Sequence, residues 1–213
     1  SADLIVLAVK PQITGIALSP LAHRVSSTAT VLSIIAGINS ASLANLLGLP
    51  NDDAVVRSMP NTPALVGEGM TGLFSNSDQR AHGRILAERV MSAVGQCVWV
   101  SNESDLDLVT AISGSGPAYF FLFMESLADA AVELGMSPQT AHQLSVQTAL
   151  GAAKLAQTSD DGLAKLRENV TSPGGTTEQA IESFEASELR AIVMSATRAA
   201  KKRSIELSEE FGL

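Results

Sequence analysis

The sequence predicts two domains: an α/β domain with a parallel sheet over residues 1–101, and an all-α domain over residues 102–213. In the first hundred residues, short β-branched runs alternate with helical stretches, which is typical of βαβ units. After residue 101 the pattern is helical throughout. The chain of 213 residues is long enough to bury a core in each domain.

Continuous apolar runs predict the strands of the first domain. Three of them are typical of strands buried on both faces, namely DLIVLAVKP (3–11), ATVLSIIAG (29–37) and AVVRSMPNTP (54–63). Between these runs, residues 12–24 and 40–48 have helical spacing. Two further strands, predicted to be antiparallel, flank a helix at about 79–94 and are GMTGLFSN (69–76) and GQCVWVS (95–101).

Five helices are predicted in the second domain. Pro117 is a favourable first residue for the first of them, which Gly135 ends. Ser137 caps the second helix, Pro138 opens it, and it runs toward Gln157. The other three are expected at about 160–169, from near Thr177, and over about 188–210.

The helix over 117–134 is apolar almost all round. Its apolar side chains are Phe120, Phe121, Leu122, Phe123, Met124, Leu127, Ala130, Ala131, Val132 and Leu134. Such a helix is expected to be buried on every side, and the chain offers few other helices to surround it. We therefore expect a second subunit to cover it, with a crowded monomeric core as the alternative.

Composition argues against several classes of function. The net charge is −8 and the dense basic cluster lies on one late helix, so a nucleic-acid partner is not expected. The single cysteine, Cys97, excludes an internal disulfide, and the scattered histidines show no metal-binding spacing, so no metal is expected. No apolar run reaches the roughly 20 residues of a bilayer span. We expect no membrane partner and a cytoplasmic location.

Three loops follow the ends of the predicted parallel strands: AVKP (8–11), IIAG (34–37) and MPNTP (59–63). Ligands of an open parallel sheet bind beyond the carboxyl ends of its strands. Lys10 could approach a phosphate or ribose, whereas Ala36 and Gly37 would admit a flat ring. Each loop has an alternative, purely structural interpretation, because Pro and Gly commonly end strands. A dinucleotide site also needs a G-x-G-x-x-G loop, and residues 1–101 contain none.

A Pro-Gly-Gly turn precedes a helix start in NVTSPGGTTEQA (169–180). Gly174 and Gly175 allow successive N–H groups to point at one spot, and the helix adds unpaired N–H groups and a positive dipole end. These features together predict an anion site that suits a carboxylate. Thr176 or Thr177 could cap the helix, leaving the other hydroxyl for a ligand. The alternative is an ordinary turn with an N-cap.

The sequence offers no strong acid, base or nucleophile in a recognisable arrangement. It lacks a Ser-His-Asp order, a paired-carboxylate pattern and a CxxC motif. SGSGPA (113–118) follows a helical stretch and lacks the Lys-Ser/Thr ending of a P-loop, so it is interpreted as a tight segment with Ser113 and Ser115 facing a pocket. Binding through backbone and hydroxyl groups fits hydride transfer from a nicotinamide, because the cofactor brings the reactive atom.

Four segments, in order and spacing, resemble the pyrroline-5-carboxylate reductase family. They are VLAVKPQ, RSMPNTPALVGEGMTGL, AISGSGPAYFFLFMESLADAAVELGM and LRENVTSPGGTTEQAI. The similarity covers essentially the whole chain, although the family's first strand and glycine-rich loop are not in it. We expect about 60 further residues upstream, since two βα units of about 30 residues would supply that part. The first domain is thus interpreted as an incomplete Rossmann-like domain, followed by a helical dimerisation domain.

The resemblance implies NAD(P)H-dependent reduction of 1-pyrroline-5-carboxylate to L-proline, with NADPH expected and NADH possible. By matching motif positions, the residues that would border the cofactor are Ala8, Val9, Lys10, Pro11, Ile34, Ile35, Ala36, Asn61 and Asn169. The family forms interlocked helical dimers, often assembled into rings of dimers. This chain is accordingly expected to be a homodimer or a homodecamer.

The resemblance also implies a substrate site. Its residues would be Glu103, Ser115, Asn169, Ser172, Gly174, Gly175, Thr176 and Thr177. The substrate carboxylate would bind the N–H groups of Gly174, Gly175 and Thr176. The Thr177 hydroxyl would be the catalytic group and would bond the ring nitrogen.

Two alternative functions remain open at this point. The chain could be a non-catalytic helical dimerisation module, because a sheet without its first strands cannot hold a cofactor. It could also be another imine or β-hydroxyacid reductase of similar architecture, although such enzymes would lack the SPGGTT loop.

Overall fold

The structure, a computed structural model, describes residues 2–76 and 81–211. Contacts divide the chain into two compact units, Ser1–Pro117 with Thr197–Leu213, and Ala118–Ala196. The sequence-based boundary between residues 101 and 102 falls inside the first unit. The helices that follow residue 102 pack against the sheet, which extends this unit to Pro117. The boundary at 101/102 stays a prediction.

A five-stranded sheet organises the first unit, in the order β1-β2-β3-β4-β5. The strands are β1 (Leu4–Leu7), β2 (Thr30–Ser33), β3 (Val55–Met59), β4 (Gly69–Phe74) and β5 (Gly95–Trp99). The first three pair in parallel, and β4 pairs antiparallel with β3. The two strands expected to be antiparallel are β4 and β5. They run antiparallel to the first three strands but pair with each other in parallel. The predicted α/β sheet is therefore confirmed.

Both faces of the sheet are covered by hydrophobic clusters. Alternate residues point to opposite faces, so Val31 and Val55 join one cluster, while Leu32 and Val56 join the other. All four residues of β2 are buried, as its continuous apolar run predicts. Full burial was a wrong expectation for β1, whose Val6 is 48% exposed. The reason is that β1 lies at the edge of the described sheet and has one strand neighbour.

Short helices connect these strands. They are α1 (Thr14–Leu18), α2 (Ser40–Leu47) and α3 (Ala81–Ser92). The single helix predicted over 12–24 is a chain of short segments, because 3₁₀ turns at Pro11–Ile13 and Ser19–Leu21 flank α1. Proline in each 3₁₀ turn lacks the N–H that a continuous helix needs. The predicted start of α3 at residue 79 lies outside the described residues.

The second half of the chain is helical, as predicted. Its helices are α4 (Asp105–Val109), α5 (Gly116–Glu133), α6 (Pro138–Thr158), α7 (Leu163–Asn169), α8 (Thr176–Ala186) and α9 (Leu189–Phe211). The Ser137 side chain caps α6, as expected, by accepting from the Thr140 N–H. Helical structure begins earlier than Pro117, because a π-helical turn over Thr110–Gly114 links α4 to α5.

The apolar helix α5 is largely exposed within its own chain. Phe120, Phe121 and Leu122 are each more than 60% exposed. The helical stretch Asp105–Glu133 is long and apolar enough to cross a membrane by length and composition, which corrects the expectation that no stretch reaches that length. A helix that packs against a second subunit has the same composition, so this alone does not indicate a membrane span.

Shortening Leu32 to alanine is expected to lower the free energy of unfolding by about 2–5 kcal/mol, because Leu32 is fully buried in the sheet core. Denaturant titration measures the change. Leu65→Ala is the matched control, since Leu65 is 89% exposed. Equal losses in the two variants would contradict the core described above.

Candidate active site

A cleft of about 200 Å³ lies at the carboxyl ends of β2 and β3. Ile35, Ala36 and Gly37 form one wall after β2, and Met59 lies at the end of β3. Ser115 also lines the cleft. The structure therefore brings together two residues expected at the cofactor and one expected at the substrate, in the location that an open parallel sheet favours.

The ends of β1 and β2 lie side by side, as expected. The Ile34 N–H donates to the Leu7 carbonyl at 3.0 Å. Ala8, Val9, Lys10 and Pro11 follow β1 directly, and Lys10 is exposed at the start of a 3₁₀ turn. These four residues and Ile34 do not line the cleft. Their contacts with a cofactor stay predictions.

The end of α9 forms the opposite side of the cleft. Gly37 has φ +77°, and a Cβ at this position would lie 3.3 Å from the Leu207 carbonyl oxygen. Ser204 lines the cleft and donates its hydroxyl to Asp107 Oδ1 at 2.7 Å. The close approach between the loop after β2 and α9 therefore requires glycine for both its conformation and its size.

Arg203 brings a positive charge to this side of the cleft. It donates to Glu210 at 2.7 Å and to Glu206 at 3.3 Å, and these hydrogen bonds raise its pKa. Lys202 pairs with Glu206 at 3.6 Å. Neighbouring carboxylates therefore balance part of the basic cluster that the sequence analysis noted.

Asn61 connects the π-helical turn before α5 and the start of β4 through its side-chain amide. Its Nδ2 donates to the Ser113 carbonyl at 2.9 Å, and its Oδ1 accepts from the Met70 N–H at 2.8 Å. Ser113 uses its own hydroxyl to donate to the Val109 carbonyl at 3.0 Å. Both amide groups of Asn61 thus have structural partners, and its role at a cofactor stays a prediction.

Glu103 lies outside the residues that line the cleft. Its Oε1 accepts from both the N–H and the hydroxyl of Ser40, each at 2.7 Å, and from Arg57 Nη1 at 3.0 Å. The predicted contact of Glu103 with substrate is not tested by these bonds. They do show that one of its carboxylate oxygens already has three donors.

The second unit contains the Pro-Gly-Gly turn at the start of α8. Gly174 adopts φ +71°, and Gly175 is the N-cap of the helix. The expectation that Thr176 or Thr177 caps α8 is wrong, because Thr176 is already its first helical residue. The N-cap makes no side-chain hydrogen bond, as glycine has no side chain to supply one.

A carboxylate from the protein itself binds at this turn. Glu178 Oε2 accepts from the Gly174 N–H at 2.7 Å. The Gly175 N–H donates instead to the Ser172 carbonyl at 2.9 Å. Among the described residues, the N–H groups of Thr176 and Thr177 have no hydrogen-bond acceptor, as is usual in the first turn of a helix. In the described part of the chain, the turn therefore has two N–H groups without an acceptor and one N–H that bonds a carboxylate, at the positive end of a helix.

Asn169 is the last residue of α7 and is exposed. Its Nδ2 donates to Asp161 Oδ2 at 3.3 Å. Asn169 lies close in sequence to the Pro-Gly-Gly turn. Its predicted contacts with both ligands stay predictions.

Arg57, Asp107 and Ser204 line the cleft although the sequence did not predict them there. A signal for Arg57 was present, since it is the one charged residue within the apolar run that forms β3. Asp107 and Ser204 gave no comparable signal, because they lie on separate helices that meet through tertiary packing.

Comparisons with known proteins agree with this architecture. Residues 103–207 match the family model "Pyrroline-5-carboxylate reductase dimerisation". The chain is 48% identical over 211 residues to pyrroline-5-carboxylate reductase of Pseudomonas aeruginosa, which covers 99% of this chain and 77% of that protein. The chain belongs to the pyrroline-5-carboxylate reductase family.

Solved structures of the pyrroline-5-carboxylate reductase family have the same fold. The enzyme from Coxiella burnetii has a TM-score of 0.91 at 44% identity, over 97% of this chain and 76% of that one. The Plasmodium falciparum enzyme, solved with NADP bound, has a TM-score of 0.83 at 36% identity, over 97% and 78% of the two chains. The match to a dimerisation model also gives the exposed face of α5 a physical explanation.

Proposed function

We propose that this chain reduces 1-pyrroline-5-carboxylate to L-proline by hydride transfer from NAD(P)H, the last step of proline biosynthesis. The observation that carries this proposal is 48% identity over 99% of the chain to a pyrroline-5-carboxylate reductase. A non-catalytic dimerisation module is not favoured, because the similarity extends over the sheet as well as the helices. Another imine or β-hydroxyacid reductase is not favoured either, since the SPGGTT turn is present.

The cleft fits the nicotinamide end of such a cofactor. Exposed Ala36 and half-buried Gly37 present little side-chain bulk at the end of β2, so a flat ring can approach the backbone. Ile35 and the loop after β1 would border the same ligand. We propose NADPH as the preferred form, with NADH as the alternative. The NADP-bound relative from Plasmodium falciparum supports a nicotinamide cofactor.

The turn before α8 would bind the substrate carboxylate. Gly174, Gly175 and Thr176 offer backbone N–H groups, and the positive end of α8 favours a negative charge. Glu178 and the Ser172 carbonyl must first release the two glycine N–H groups. Ser115 and Asn169 complete the substrate residues that the family resemblance implies; the resemblance also implies Glu103, whose contacts within the first unit are with Ser40 and Arg57.

Positioning of the imine ring by the protein explains most of the proposed catalysis. When bound, the nicotinamide supplies the hydride, and a protonated imine is already electrophilic. The half-buried Thr177 would orient the ring nitrogen through its hydroxyl while the turn holds the carboxylate. Fixing two groups of a five-membered ring fixes its reactive carbon, which lowers the entropic part of the barrier.

The chain forms a homo-oligomer, in line with the dimerisation match over residues 103–207. We further propose interlocked helical dimers that associate into a ring, such as a homodecamer. The exposed apolar side chains of α5 support a partner of this kind. We propose a cytoplasmic location because the sequence has a single cysteine, Cys97, which fits a reducing compartment.

The direct test is a spectrophotometric assay of the complete protein with 1-pyrroline-5-carboxylate and either NADPH or NADH. We expect oxidation of the cofactor coupled to stoichiometric formation of proline, with a higher kcat/KM for NADPH. Absence of proline formation with both cofactors would overturn the proposal.

Thr177→Ala is expected to lower kcat by about 10- to 100-fold, because the ring nitrogen loses the hydroxyl that orients it. KM for the imine should change less, since backbone groups hold the carboxylate. Steady-state kinetics measure both quantities. Thr176→Ala is the control, because it keeps the N–H that Thr176 contributes. An unchanged kcat in Thr177→Ala would contradict the catalytic role.

Glu178→Gln is expected to lower KM for 1-pyrroline-5-carboxylate about threefold. A neutral amide accepts the Gly174 N–H less strongly than a carboxylate does, so the substrate carboxylate displaces it more easily. Initial rates at varied substrate give the change. Glu182→Gln removes the same charge one turn later and should leave KM unaltered. A KM for Glu178→Gln equal to or above that of the wild type would show that Glu178 does not compete.

Phe121→Glu is expected to disrupt the oligomer, because Phe121 is 61% exposed on α5 and a charge inside an apolar interface is costly. Light scattering after size-exclusion chromatography measures the mass. Leu65→Glu, at a residue 89% exposed in the first unit, is the control. An unchanged oligomer in Phe121→Glu would mean that this face lies outside the interface.

A further inference from the structure

Three segments of the first unit meet at one carboxylate oxygen, Glu103 Oε1. It accepts from the N–H and the hydroxyl of Ser40 at 2.7 Å and from Arg57 Nη1 at 3.0 Å. Ser40 is the first residue of α2, Arg57 lies in the middle of β3, and Glu103 precedes α4. The three donors come from residues 46 and 63 positions away in sequence. Glu103 therefore fixes the relative placement of α2 and β3.

The network is partly shielded from solvent. Ser40 is fully buried, and the Arg57 and Glu103 side chains are 14% and 27% exposed. A buried ion pair is often no more stabilising than apolar side chains of similar size, although removing one partner is costly. Global stability therefore does not by itself account for placing an arginine and a glutamate here.

The network has a direct connection to the cleft. Arg57 lines the cleft together with Ile35, Ala36 and Gly37, whereas Glu103 does not line it. Ser40 directly follows the loop that begins with these residues. Glu103 thus binds Ser40, which follows the loop of the cleft wall, and Arg57, which lines the cleft from β3, without lining the cleft itself.

We propose that Glu103 is a positioning residue for cofactor binding: it keeps Arg57 and the loop over 35–37 in the arrangement that accepts the nicotinamide end of the cofactor. This inference rests on the proposed function. It differs from the contact with substrate that the family resemblance implies for Glu103. We therefore expect substitutions of Glu103 to change the affinity for the cofactor more than the affinity for the imine.

The test compares Glu103→Ala, Glu103→Gln and Arg57→Lys in the complete protein. Isothermal titration calorimetry without substrate gives the Kd for NADPH, and steady-state kinetics give both KM values and kcat. Glu88→Gln is the matched control, since Glu88 lies in the same unit and accepts from the Trp99 indole N–H on an exposed surface. Thermal unfolding shows whether each variant is folded.

We expect Glu103→Ala to raise the Kd for NADPH about tenfold, because three hydrogen bonds to a charged group are lost. Glu103→Gln should raise it about threefold, as the amide oxygen still accepts from Ser40. Arg57→Lys keeps the charge without the planar guanidinium, so its increase in the Kd for NADPH should lie between these two values. At saturating NADPH, Glu103→Gln should change the KM for the imine by a smaller factor than it changes the Kd for NADPH, and Glu88→Gln should match wild type.

A merely structural network would give a different result. A folded Glu103→Ala variant with wild-type Kd would overturn the inference, as would equal increases in the Kd for NADPH and the KM for the imine. If the wild type forms proline while Glu103→Ala binds NADPH normally, the inference fails and the proposed function stands. If the wild type forms no proline with either cofactor, the proposed function itself fails.

Discussion

Burial of β2 on both faces is the constraint on which the first unit depends. Its four residues are all buried, and parallel pairing with β1 and β3 brings three strand ends to one edge of the sheet. That edge is where the cleft lies, with Ala36 and Gly37 after β2 and Met59 at the end of β3. The same pairing that buries the apolar surface therefore creates the site for a ligand.

Binding through the backbone characterises the second unit. The turn at Gly174 and Gly175 has no basic side chain of its own, and it lies at the positive end of α8, where the proposed substrate site would bind a carboxylate through N–H groups. Glu178 Oε2 accepts from the Gly174 N–H, so one of these N–H groups already has a carboxylate as its partner. A site of this kind would recognise a small anion by geometry, which suits the proposed substrate, whose ring must be oriented for hydride transfer.

The two units differ in how much of their large apolar side chains is exposed to solvent. The sheet buries its large aliphatic residues within the chain, whereas α5 leaves Phe120 and Phe121 mostly exposed. Cover from a second subunit resolves this difference, and the dimerisation match over residues 103–207 agrees. The chain forms a homo-oligomer, and the proposed role of α5 as an interface helix would account for its exposed apolar side chains.

The sequence by itself determined the five strands, the helical second half, the Gly-Gly turn and the family. These features are local: period, turn residues and motif spacing extend over a few to some 30 residues. Only the tertiary structure decided that Glu103 binds Ser40 and Arg57, that Asn61 binds the π-helical turn at Ser113, and that the end of α9 forms part of the cleft. The physical reason is that these contacts join residues 46 to 97 positions apart, and no periodicity within one segment encodes which distant partner will lie opposite it.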